Sequence, residues 1–201
     1  MRVAVLASGE GTNLQALLDH VHGHDDVAVV AVASDRPAAR ALERAHCAGV
    51  VTSVFERERY EDRASRDGAM AAWLTEQGAE LIVLAGYMQL LSPEFLRRFA
   101  GRVINVHPAL LPAFPGLRAV EQALEYGVKV FGVTVHFVDE GIDTGPVILQ
   151  RAVELDARRV EEVMERLQPI EHELLPEAVR LIASGAVRID ANNPRRVVIE
   201  R

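Results

Sequence analysis

Asn105 and His107 stand two residues apart at the end of an apolar run, Arg102-Val-Ile-Asn-Val-His-Pro. On an extended chain, side chains i and i+2 share a face. An amide donor and an imidazole therefore project together, while Ile104 and Val106 turn to the opposite face and can pack as core. Pro108 biases His107 away from the helical region and keeps the run extended to its polar tip. Such a pair can hold a developing oxyanion and move a proton. A carboxylate arriving from elsewhere would set the charge of the imidazole. Asp143, in Gly141-Ile-Asp-Thr-Gly-Pro, is the candidate, because an opposite charge favours the imidazolium. The three groups are the minimal equipment for acyl transfer without a covalent intermediate. Each has a plainer reading: His107 as a core histidine bonded to a backbone carbonyl, Asn105 as a capping residue, Asp143 as an Asx-turn. The shared face of Asn105 and His107 at a strand end, before a proline-rich loop, moves the balance towards a site.

A second feature is Ser8-Gly-Glu-Gly-Thr-Asn13, between an apolar strand and a helix. Glycines let the backbone approach an anion, and N–H groups at a helix start can hold it. The dinucleotide pattern G-x-G-x-x-G fails at Leu14 and the Walker lysine is absent, so a single phosphate fits better than a dinucleotide. The plain alternative is a tight turn capped by Thr12 or Asn13. Met88, Leu90 and Leu91 follow a strand end and suit either core or an apolar slot for a flat ring. His136 sits on the polar side of an alternating strand, facing a cleft. His20, His22 and His24 do not converge on a helix at their spacing. Glu171-His172 reads as a solvated helix face, and the charge-rich run from Arg57 as another.

These groups need elements to aim them. Strands are expected at 2–7, 27–33, 50–55, 80–85 and 102–107, with helices at 14–22, 38–48, 57–77 and 92–99. Solid apolar strands alternating with helices predict an α/β fold, a Rossmann-like, mostly parallel twisted sheet with helices on both faces. Beyond residue 120 the pattern changes. A helix at 120–126 leads to an alternating strand at 130–138, a further strand at 146–155 with an antiparallel edge placement, and a helical stretch at 160–184. Pro169 and Pro176 are expected to kink or divide that stretch. A short strand is expected at 187–190, and 191–201 is left open between a docked strand and a partner contact. Gly9, Ala85-Gly-Tyr-Met and His107 all lie at carboxyl ends of strands, where open α/β sheets bind ligands. No linker is marked, so one domain over 1–201 is expected, with a phosphate-binding half at 1–100 and a catalytic, cosubstrate-binding half at 101–190.

The chain has 201 residues and a net charge of −7, which disfavours a nonspecific nucleic-acid binder. Cys47 is the single cysteine, so neither an internal disulfide nor a cysteine-rich zinc site is expected. With no secretory or membrane-spanning signal, a reducing cytoplasm is the expected compartment.

Together these segments resemble the phosphoribosylglycinamide formyltransferases, the folate-dependent enzymes of purine synthesis. Ser8–Asn13 is similar to their phosphate loop, Leu84-Ala-Gly-Tyr-Met-Gln-Leu-Leu91 to their folate slot, and Asn105-Val-His-Pro-Ala-Leu-Leu-Pro-Ala-Phe-Pro-Gly116 to their catalytic signature. His136-Phe-Val and Asp143-Thr-Gly-Pro-Val-Ile-Leu-Gln150 complete the order. The likeness runs from residue 1 to about 185. It implies formyl transfer from 10-formyltetrahydrofolate to the amine of glycinamide ribonucleotide, with Asn105, His107 and Asp143 as the catalytic trio and no metal. It also implies Gly11, Thr12, Asn13 and Glu171 at the ribonucleotide. Arg57, Met88, Gln89, Leu90, Leu91, Asn105, Val138, Asp139 and Asp143 are implied at the folate, with Arg57, or Arg59 close by, facing its glutamate tail. Gln89 stands where relatives often carry a basic residue, and Pro169 lies just before Glu171. Small-molecule partners are implied, not nucleic acid or membrane, and a homodimer is left open. The rival readings are a formyltetrahydrofolate hydrolase, an enzyme formylating an amino-sugar nucleotide, and a noncatalytic folate- or nucleotide-binding module. Methionyl-tRNA formyltransferases resemble the same core with an added C-terminal domain.

Overall fold

The apolar runs become strands, and a computed structural model describes them for residues 1–200. Contacts gather into two compact units, Met1–Ile104 and the chain from Asn105 onward. The α/β class is the one expected.

In the first unit β1 (Arg2–Leu6) pairs in parallel with β2 (Ala28–Ser34). β3 (Val51–Val54) joins β2, and β4 (Leu81–Leu84) joins the other side of β1, also in parallel, giving the order β3-β2-β1-β4. Val3 to Leu6 and Leu81 to Leu84 are buried throughout, as a parallel sheet demands of its central strands. The core receives Leu14 and Leu17 from α1 (Thr12–His20), Ala41 and Ala45 from α2 (Arg40–Cys47), and Met70, Ala71 and Leu74 from α3 (Arg63–Glu76). Ser92 caps α4 (Pro93–Arg98), its Oγ accepting from the Phe95 N–H with proline at the first position, the arrangement its sequence predicts.

The helix expected over 57–77 is not continuous. Arg57–Arg59 form one 3-10 turn, Tyr60 is extended, and α3 begins only after Asp62. The cause is local: Asp62 accepts from the Ser65 N–H at 2.7 Å and caps a new helix start, in competition with a continuing one.

The chain crosses into the second unit within β5 (Val103–His107). There β5 neighbours β6 (Val130–Phe137), and β6 runs antiparallel to β7 (Val147–Glu154). Three expectations change here. First, β7 is not an edge. β8 (Val187–Asp190) and β9 (Asn193–Ile199) form an antiparallel hairpin, and β9 meets β7 at Val147 and Arg196. The open segment thus docks as a strand. Second, the polar face of β6 is as buried as its apolar face. Thr134 donates to the Ala109 carbonyl and accepts from the Leu111 N–H, so the sequence's alternation marks internal hydrogen bonding and not water. Third, α6 (Val160–Ala183) runs undivided through Pro169 and Pro176. Each proline removes one i→i−4 bond. The buried row Val163, Leu167, Leu174, Leu175, Ala178 and Val179 holds the helix along both sides of those gaps. Within this second unit α5 (Ala119–Tyr126) completes the helices. No helix among the described residues is long and apolar enough to cross a membrane.

Candidate active site

β5 delivers Asn105 and His107 as its alternation requires. Ile104 and Val106 are in the core, Asn105 is half-buried and His107 is 5% exposed. Asp143 arrives on the loop joining β6 to β7. Its φ of 51° places it in the left-handed region, an uncommon position for a residue with a side chain. The loop is tightly folded around it. A Cβ on Gly145 would lie 1.8 Å from the Phe137 carbonyl oxygen. The Asx-turn weighed as the alternative for Asp143 belongs to Asp139, which accepts from the Gly141 N–H at 3.1 Å and the Thr144 hydroxyl at 2.6 Å. That leaves the Asp143 carboxylate for the site.

Three of the expected residues therefore meet. Asp143 Oδ2 lies 3.4 Å from His107 Nδ1 and accepts from the Gly116 N–H at 2.7 Å. Its Oδ1 accepts from Asn105 Nδ2 at 3.4 Å. His107 Nε2 is 2.9 Å from the Phe114 carbonyl. A carbonyl only accepts, so that nitrogen carries the hydrogen. With acceptors on both ring nitrogens, the imidazolium satisfies every partner of His107.

His136 is the fourth member. It is 1% exposed, and its Nδ1 donates to the Phe137 carbonyl at 2.8 Å. Its Nε2 lies 3.3 Å from Asn105 Nδ2 and 3.5 Å from Asp143 Oδ1. Neutral, it accepts from the amide and fixes which way Asn105 faces; charged, it donates to the carboxylate. Burial opposes ionisation of Asp143. A hydrogen bond from His136, the Gly116 N–H and the charges of the two histidines outweigh it, and the carboxyl pKa falls from 3.8 to about 2.

A depressed carboxyl stabilises the fold above its unfolded pKa, and the contribution disappears as pH drops through the folded value. The shift of Asp143 from 3.8 to about 2 corresponds to about 2 kcal/mol at ~1.36 kcal/mol per unit. Wild type is thus expected to lose about that much more stability than Asp143→Asn between pH 5 and pH 2. Urea unfolding of both proteins across that range checks it; parallel curves would mean that the carboxylate is not held as described.

The other expected residues form separate groups. In the glycine loop, Gly11 occupies the cap position of α1 with φ 70°, so the capping role weighed for Thr12 or Asn13 falls to it. A Cβ there would lie 2.7 Å from Ala41 Cα. The first turn of α1 contains no acidic residue, leaving the positive end of the helix dipole unopposed within that turn. Left-handed φ costs a residue with a Cβ about 1–2 kcal/mol. Gly11→Ala, with the clash added, is expected to lower the thermal midpoint by at least about 2–4 °C, read by calorimetry.

In the slot segment Met88 and Leu90 are 51% and 58% exposed, Gln89 is half-buried and Leu91 is core at 9%. Arg57 is exposed on its 3-10 turn, and Arg59 is paired with Glu56 at 2.5 Å. Val138 and Asp139 lie on the Asp143 loop. Glu171, expected on a solvated face, is 6% exposed. The reason is helical spacing: it lies four residues after Leu167 and four before Leu175, on the buried row. An apolar cavity of about 440 Å³, lined by Leu110, Phe114, Tyr126 and Phe131 among others, adjoins the loop after His107.

The model of the family described as "Formyl transferase" matches residues 1–179. The chain belongs to the formyl transferase family. Among its relatives, the phosphoribosylglycinamide formyltransferase of Bacillus subtilis (strain 168) is 41% identical over 181 residues, covering 89% of this chain and 93% of that protein. The trifunctional purine biosynthetic protein adenosine-3 of Bos taurus is 45% identical over 193 residues, 95% of this chain. The chain spans only 19% of that longer protein's length. The crystal structure of glycinamide ribonucleotide transformylase 1 from Symbiobacterium toebii superposes with a TM-score of 0.95 at 48% identity, over 100% of this chain and 94% of that one.

Two features of this formyl transferase escaped sequence reasoning. Backbone partners, the Phe114 carbonyl and Gly116 N–H, leave no side-chain signature. The buried pair Arg66 and Asp67 did leave one: with Met70, Ala71 and Leu74 it falls on the apolar face of α3.

Proposed function

We propose that this formyl transferase moves a formyl group from 10-formyltetrahydrofolate to the amine of glycinamide ribonucleotide, a step of purine biosynthesis. The observation that carries the reading is the meeting of Asn105, His107 and Asp143, an oxyanion donor beside a charge-stabilised imidazole. The amine attacks the formyl carbon, and negative charge gathers on the formyl oxygen. Asn105 Nδ2 turns one of its two hydrogens to that oxygen, giving up a long contact of 3.3 or 3.4 Å. Such contacts commonly tighten onto substrate in the working complex. His107, charged through Asp143, stabilises the same oxygen. As the carbon–nitrogen bond to the folate breaks, the His107 imidazolium gives its proton to the departing nitrogen, and the neutral imidazole then takes up the proton that the attacking nitrogen sheds, which restores the imidazolium. No residue of the chain forms a covalent bond.

We assign Gly11, Thr12 and Asn13 to the substrate phosphate, on the strength of the open helix dipole, and Glu171 to the ribose or glycinamide end. Met88 to Leu91 and Val138 to Asp143 take the folate ring, and Arg57 its glutamate tail, where a fixed guanidinium suits a carboxylate. A spectroscopic assay with 10-formyltetrahydrofolate, run with and without glycinamide ribonucleotide, tests the reading. Product that forms only with the ribonucleotide supports it. Equal rates without it would make the protein a hydrolase, and no turnover in either arm would make it a binding module.

A further inference from the structure

The segment from Gly86 to Ser92 is held in an unusual way. Two of its large apolar side chains, Met88 and Leu90, point to solvent at 51% and 58% exposure, while backbone atoms of Gly86, Met88, Leu90 and Ser92 and the Gln89 side chain are bonded inward. The Gly86 carbonyl accepts from the Ser8 N–H at 3.1 Å, and the Met88 N–H donates to Ser8 Oγ at 2.9 Å. The rest of the grip comes from α3. Arg66 and Asp67, 2% and 0% exposed, are adjacent in sequence and paired, with guanidinium Nε and a terminal nitrogen donating to Asp67 Oδ1 at 2.9 and 2.7 Å. Their remaining atoms all reach the segment. Asp67 Oδ2 accepts from the Ser92 N–H at 2.6 Å. Arg66 donates to the Leu90 carbonyl at 3.4 Å and to the Gln89 side chain at 3.5 Å. Gln89 passes the link on, donating to Asp35 Oδ2 at 2.9 Å.

A buried ion pair is an expensive way to stabilise a fold, since apolar residues of equal volume do as well or better. A loop shaped for stability alone would also turn Met88 and Leu90 inward. We propose that Arg66 and Asp67 are positioning residues for folate recognition: they hold the Met88–Leu91 strip preformed, apolar side outward, so that the ring binds without first ordering the loop. This rests on the folate occupying that strip, as proposed above. Preorganisation acts on binding, so loss of the pair should raise KM for the folate and spare the chemical step, which belongs to Asn105, His107 and Asp143.

The test is steady-state kinetics of Asp67→Asn and of the double variant Arg66→Met/Asp67→Leu, which replaces the pair with apolar groups of similar size and removes the unpaired-charge problem of a single substitution. Folding is checked by thermal melts. The expected result in the folded double variant is a rise of about tenfold or more in KM for 10-formyltetrahydrofolate, with kcat and KM for glycinamide ribonucleotide within about twofold of wild type. An unchanged folate KM in a folded variant overturns the proposal. So does failure of the double variant to fold, because the pair would then be a stability element. A matched fall in kcat with both KM values unchanged overturns it as well. If wild type itself turns over no 10-formyltetrahydrofolate, the functional reading fails, and that outcome is distinguished before any variant is measured.

Discussion

His107→Ala is expected to lower kcat for formyl transfer by about 10²–10⁴-fold, the range for removal of a positioned proton-transfer group. The fold should survive. The imidazole makes one short bond, to the Phe114 carbonyl, and the backbone of β5 is held by its strand neighbours. The measurement is the spectroscopic assay under saturating substrates, with a circular dichroism melt alongside. Near-normal turnover in the folded variant would remove the mechanism, because His107 is the imidazole whose two nitrogens face acceptors alone, the Phe114 carbonyl at 2.9 Å and Asp143 Oδ2 at 3.4 Å. His136 is the natural candidate for backup. It is turned away from that role by the Phe137 carbonyl, which holds one nitrogen, and by Asn105, which shares the other.

The second large effect belongs to Asn105. Removing a single oxyanion donor costs about 10²–10³ in kcat elsewhere, ~2.7–4 kcal/mol, and Asn105→Ala is expected to fall in that range with KM values little changed. The split matters, since a donor that acts only as charge develops contributes to kcat and not to ground-state binding. If KM rises and kcat holds, Asn105 is a binding residue and the oxyanion is stabilised by another group. His136→Ala should cost less than Asn105→Ala, because it frees the amide to rotate without deleting it. A greater loss from His136 would reverse their roles.

Much of the architecture was legible in the order of residues. The solid apolar runs of β1 and β4 could only be central strands, and Ser92-Pro93 could only open a helix, because burial on two faces and capping are local demands. The period of two in β5 named Asn105 and His107 as neighbours. Where expectation failed, the deciding contact came from far along the chain. Prolines 169 and 176 argue for a break, yet α6 continues on its buried face. Glu171 looked solvated until Leu167 and Leu175 showed which face is packed. β7 looked like an edge until β9 returned to it from more than forty residues away.

By itself the sequence determined which residue types face the same way at the end of β5, since side-chain alternation is a property of an extended backbone and needs no partner. It also determined the glycine requirement before α1. Only the tertiary structure decided that Asp143 reaches His107, and that Asp139 takes the turn in its place. It also decided that His136 sits within reach of both Asn105 and Asp143, and that a buried Arg66–Asp67 pair grips the strip at Met88. Those distances depend on how loops close and which polar atoms are left without water. A carboxylate, an amide and two imidazoles removed from solvent must satisfy one another, and that condition is met in space and leaves no local pattern to read.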